Sequence, residues 1–146
     1  LDPVNTELLR NEIKRCRDNG AAVIFSNHNM SDVEQLSDHL LMLKGGKTIL
    51  QGTIGAIRES YGRTRVYLES PLSDEELLAV PGVLNVRKQG SGRTIKLAQE
   101  EVGRVLFKLV TQQGYVQAFM QAPPSLDEIF RMEVSENNAL EQQKGE

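Results

Sequence analysis

Apolar residues at Leu8, Leu9, Ile13 and Cys16 recur at helical spacing, and Gly20 ends the run. Asp2 is placed to cap this helix, and Pro3 suits its first turn. The next segment, "AAVIFSN" over residues 21–27, is almost wholly apolar until its polar end. That pattern predicts a short strand of a parallel sheet covered on both faces. Ser31 then reads as the N-cap of "DVEQLSDHL", with Glu34 three residues on completing a capping box. "LLMLK", Gly45-Gly46 and "KTILQG" predict a β-hairpin, because glycine accepts the positive φ of a tight turn. "TIGAIRESYG" predicts a short helix ending at Gly62.

The pattern changes at Arg63. "RTRVYLES" alternates as a half-exposed strand does, and Pro71 stops it. "LSDEELLAVPG" predicts a short helix starting near Ser73 or Asp74, and "VLNVRKQ" and "RTIKLAQ" predict two strands around Gly90-Ser91-Gly92. "EEVGRVLFKLVTQQG" is amphipathic, with Val102, Val105, Leu106, Leu109 and Val110 on one face. "YVQAFMQA" is another alternating strand, broken by Pro123-Pro124. "SLDEIFRMEV" predicts a last helix capped by Ser125 with Glu128 three residues later. The second half therefore reads β-α-β-β-α-β plus a helix, the ferredoxin-like order. The expected layout is residues 1–62, residues 63–134 and a polar tail at 135–146. The apolar faces of the first part call for covering elements that we do not find in the sequence.

Composition adds exclusions. The chain has 146 residues, enough for one ordinary domain or two small ones. Its net charge is −3 with scattered basic residues, against the basic patch expected of a nucleic-acid binder. Cys16 is the sole cysteine, so neither an intrachain disulfide nor a cysteine-cluster metal site is expected. No apolar run approaches the roughly 20 residues that span a bilayer. The start at Leu1, directly at a helix entry, reads as a piece of something longer.

Residues 1–61 resemble the tail of an ATP-binding cassette (ABC) transporter ATPase. "LDP" resembles the D-loop of that family, and "SNHNMSDVEQLSDHLLMLKGGKTILQG" resembles its switch-histidine segment, following helix and terminal hairpin. Glu34, Leu36 and Asp38 agree with the family's E-x-L-x-D spacing, while Asn27 departs from the usual Thr or Ser before the histidine. Residues 63–134 resemble the small C-terminal domain of bacterial ABC ATPases of the drug-, antibiotic- or sodium-export type, and "PSLDEIF" is like its closing motif. The implied fold is α/β and α+β: the C-terminal piece of a P-loop NTPase core, then a ferredoxin-like domain. In the intact protein the resemblance implies ATP and Mg2+ as cofactors, a second ATPase subunit in a homodimer, and transmembrane permease subunits. It implies a cytoplasmic position at the inner face of the membrane. It gives His28 a contact to the γ-phosphate and Asp2 a place at the nucleotide-dimer interface. A neutral imidazole can donate one hydrogen bond to a phosphate oxygen, and an imidazolium adds charge.

Other features have plainer readings. His39 is expected to be structural or exposed, and no metal-ligand set is expected around it or His28. Gly45-Gly46 lacks the G-x-x-x-x-G-K-[ST] frame of a phosphate loop. Asp74-Glu75-Glu76 suits the first turn of a helix, where it complements the helix dipole. Arg87, Lys88, Arg93 and Lys96 read as a solvated strand face. Walker A, Walker B and LSGGQ motifs do not occur in these residues, so the chain alone is expected neither to bind ATP tightly nor to hydrolyse it. The rival reading is a ferredoxin-like regulatory, small-ligand-binding or dimerisation module, since fold alone assigns no function. RNA binding would need stacking aromatics, and "VLNVRKQ" and "RTIKLAQ" have none.

Overall fold

The computed structural model describes residues 3–143, with side chains over residues 5–135. In chain order the elements are α1 (Pro3–Asp18), α2 (Met30–Leu36), β1 (His39–Lys44), β2 (Lys47–Thr53), α3 (Ile54–Ser60), β3 (Arg65–Glu69), α4 (Asp74–Leu78), β4 (Val83–Gln89), β5 (Gly92–Leu97), α5 (Val102–Gln113), β6 (Ala118–Ala122) and α6 (Leu126–Gln143). They form two compact units. One comprises the chain up to Ile54 and again from Leu126; the other is Gly55–Ser125. Both sheets are antiparallel, so the described chain is α+β.

In the first unit α1 stops where Gly20 takes φ +87°, and the Gly20 and Ala21 N–H groups donate to the Arg17 and Cys16 carbonyls. β1 and β2 form the predicted hairpin around Gly45-Gly46, with a register shift between Met42 and Leu43. The strand expected at residues 21–27 is not formed: the segment joins no ladder among the described residues. A strand exists only through hydrogen bonds to a neighbour, and these residues have none. Ile24 is 97% exposed, and Leu8, Leu9, Leu41 and Leu43 are exposed as well. Buried here are a small cluster of Met30, Val33, Ile54 and Leu126, against which Leu40 and Phe130 pack, and also Leu36, Met42 and Ile129.

In the second unit the strand order is β4-β5-β3-β6, and the element order is the β-α-β-β-α-β read from the sequence. Alternation along β3 sends Val66 and Leu68 into the core with Ile95 and Leu97 of β5. Leu77 of α4 and Leu106 and Val110 of α5 close over them. Ser73 caps α4 in a full capping box with Glu76. Val105, expected on the buried face of α5, is exposed; the packed face instead runs through Val102, Leu106, Leu109 and Val110, with Gly103 buried beside it. A Cβ at Gly103 would meet the Gln121 side-chain amide at 2.1–2.4 Å and displace it. That amide donates to the Arg63 and Glu100 carbonyls, at 2.8 Å each. Helix α6 runs on through Gln143, into the segment read from sequence as a polar tail.

Two substitutions on adjacent residues check this core. Leu106→Ala removes a fully buried side chain and should cost about 2–5 kcal/mol in denaturant unfolding. Val105→Ala should cost under about 0.5 kcal/mol. Equal losses would mean that α5 packs on another face.

Candidate functional site

His28 lies on a polar turn between the extended segment and α2, and its side chain is exposed. The turn is built by its asparagines. The Asn27 side-chain oxygen accepts from the Asn29 N–H at 2.9 Å, closing an Asx-turn around His28. The Asn29 side-chain oxygen accepts from the Ser31 and Asp32 N–H groups at 3.1 and 3.4 Å. Asn29 is therefore the N-cap of α2, and Ser31, expected in that role, lies inside the helix. Both residue types cap well; the Asx-turn fixes Asn29 in extended conformation and decides between them.

Asp32 anchors the turn from below. It is 9% exposed, the one buried charged residue among those described. Its carboxylate accepts from Arg10 on α1 and, at 3.3 Å, from the Asn27 side-chain amide. The Arg10 guanidinium, seconded by that amide, holds the Asp32 carboxyl below its ordinary range despite burial. One carboxylate thus joins α1, the turn and α2. The sequence reading missed Arg10, Asn29 and Asp32 as site residues. The Asn-His-Asn spacing was a legible turn signal, whereas the Arg10 pairing spans 22 residues and left no local trace.

A cleft of about 240 Å³ opens beside the turn. Ser26, Asn27 and His28 give it polar atoms; Leu41, Leu43 and Phe130 give it apolar surface. Asp2 lies outside the described residues. His39 is exposed at the start of β1, opposite Thr53. Asp74-Glu75-Glu76 forms the first turn of α4, with Arg93 donating to Asp74. No three His, Cys, Asp or Glu gather as metal ligands among the described residues.

Residues 52–134 match the family described as ATP-binding protein DrrA1-3-like, C-terminal domain. The chain belongs to the ABC transporter ATP-binding proteins. An uncharacterised ABC transporter ATP-binding protein of Alkalihalophilus pseudofirmus is 35% identical over 130 residues, covering 89% of this chain and 49% of that protein. The uncharacterised ABC transporter ATP-binding protein YhaQ of Bacillus subtilis is 32% identical over 89% of this chain and 44% of its own length. The Nod factor export ATP-binding protein I of Rhizobium etli is 25% identical over 89% of this chain and 40% of its own length. The chain spans about half the length, or less, of these relatives. The 130-residue matches to these relatives extend well beyond the second unit and take in the His28 region as well.

The Asp32 anchor has a pH signature. A carboxyl depressed on folding stabilises fully above its ordinary pKa of 3.8, and the contribution fades as pH falls through the lower native value. Asp32→Asn should therefore lower Tm at neutral pH, and its gap from wild type should close in acid below pH 3.8. A gap constant between neutrality and strong acid would show that the carboxylate charge does not hold the turn.

Proposed function

We propose that the chain is the C-terminal portion of the ATP-hydrolysing subunit of an ABC exporter. Residues 1–62 belong to its nucleotide-binding core, residues 63–134 form a ferredoxin-like accessory domain, and residues 135–146 are a polar extension. The observation that carries this reading is the His28 turn: an exposed imidazole on a loop held by Asn27, Asn29 and the buried Asp32–Arg10 pair. The unpaired apolar segment at residues 21–27 supports it, since such a segment suits a parallel sheet supplied by further chain.

The residues present fit a phosphate ligand in one respect. His28 is an exposed donor beside an open cleft with further polar atoms from Ser26 and Asn27. Bound ATP with Mg2+ supplies the transferable phosphoryl group and the charge that neutralises it. His28 would donate a hydrogen bond toward the terminal phosphate oxygens, and the Asn27–Asn29–Asp32 network fixes the backbone that carries it. Positioning of this kind is what phosphoryl transfer asks of a protein. Magnesium ligands and most phosphate donors come from a Walker A loop and Walker B strand outside these residues. Asp2 lies at the interface between two such subunits, which work as a homodimer with membrane permease subunits from the cytoplasmic side. Among the described residues no helix is long and apolar enough to cross a membrane.

The coding DNA upstream of Leu1 gives the direct test. It should encode a G-x-x-x-x-G-K-[ST] loop, then LSGGQ and a Walker B strand. An initiator codon close by without them would transfer function to the second unit as a binding module. In the intact protein, His28→Ala should cut kcat for ATP by about 10²–10³-fold, the usual loss of one well-placed donor. The 146-residue chain alone should show no ATPase activity above blank.

A further inference from the structure

The second unit enters and leaves the first at two residues of one apolar cluster. The chain departs at Ile54 and returns at Leu126. Both are buried, with Met30 and Val33 of α2, in the same four-residue cluster. Met30 is two residues past His28 and opens the helix whose N-cap shapes the His28 turn. One helical turn beyond Leu126, Phe130 packs on the same cluster and also lines the cleft beside His28. One further turn along α6, the Val134 carbonyl accepts from the Lys44 ammonium of β1 at 3.4 Å. Thus α6 is pinned to α2 and to β1, the two elements that border the cleft. Within the second unit, the Arg58 guanidinium donates to the Pro124 and Pro123 carbonyls at 2.9 and 3.3 Å. The outgoing and returning segments are tied to each other just before they reach the cluster.

We infer that Phe130, with Leu126, is a positioning residue for His28, acting through this cluster. Close-packed interiors transmit displacement instead of absorbing it. A shift of Leu126 or Phe130 moves Met30, Met30 moves the start of α2, and the start of α2 carries the His28 turn. The polar network of Asn27, Asn29, Asp32 and Arg10 faces α1 instead. The turn is held by a polar clamp on one element and an apolar one on another, and only the apolar clamp is linked through the chain to the second unit. The role in turnover rests on the phosphate reading of His28; the hold on the turn does not.

The experiment has two arms. In the 146-residue chain, amide exchange at residues 27–30 is followed by NMR for wild type, Phe130→Ala and Phe130→Leu. Exchange there should quicken in Phe130→Ala, with the second unit's core amides unchanged, and Phe130→Leu should restore protection. In the intact ATP-binding protein, Phe130→Ala should lower kcat between about tenfold and a hundredfold, the scale of a slightly misplaced group, with KM for ATP unchanged. That loss should vanish in a His28→Ala background, since residues acting as a unit are not additive. Unchanged exchange at residues 27–30, or an equal kcat loss with and without His28, would overturn the proposal. If His28→Ala leaves turnover intact while Phe130→Ala still loosens residues 27–30, the phosphate reading fails and the hold on the turn stands.

Discussion

The cluster of Met30, Val33, Ile54 and Leu126 is the constraint on which the first unit depends. It is the only apolar cluster found there among the described residues, and it draws on a helix, the end of a hairpin and a helix from the far end of the chain. Outside it Leu36, Met42 and Ile129 are also buried, but Leu8, Leu9, Ile24, Leu41 and Leu43 face outward. A unit with so little buried apolar surface depends heavily on each contact, because buried area scales the hydrophobic term. The second unit is different in kind: nine buried residues fill the space between one sheet and two helices.

The His28 turn shows how polar and apolar holds divide the work. Asx geometry sets the local path of the chain, and the Asp32–Arg10 pair fixes that path to α1. Neither would orient α2 without Met30 and Val33 buried beneath it. A charged group nearly removed from water is tolerated because both carboxylate oxygens have donors. His28 itself is exposed, outside this network.

Much of this was legible in the sequence, and the failures are instructive. Gly45-Gly46 announced its hairpin and Ser73 with Glu76 its capping box, because these signals act over a few residues. The β-α-β-β-α-β order followed from alternation and breakers. Local patterns failed where a distant contact decided. Ser31 and Asn29 are both good caps, and Asn27 chose between them. The apolar residues 21–27 have strand composition and no strand neighbour among the described residues. Val105 fits a helical stripe but misses the sheet beneath it. That α6 returns to pack on α2 is a contact across most of the chain, invisible to any periodicity. The phosphate role proposed for His28 rests on family resemblance; spacing alone leaves it a turn residue.

The insertion of roughly seventy residues between Ile54 and Leu126 also orders assembly in time. On the ribosome the hairpin and α2 emerge long before Leu126 and Phe130, so the first unit cannot complete its cluster until α6 has been made. The second unit is continuous in sequence and can fold as soon as Ser125 is out. Once folded, it brings Gly55 and Ser125 to a fixed separation and relieves the first unit of the entropy of closing a long loop. The accessory unit is in this sense a folding template for the helix that completes its host.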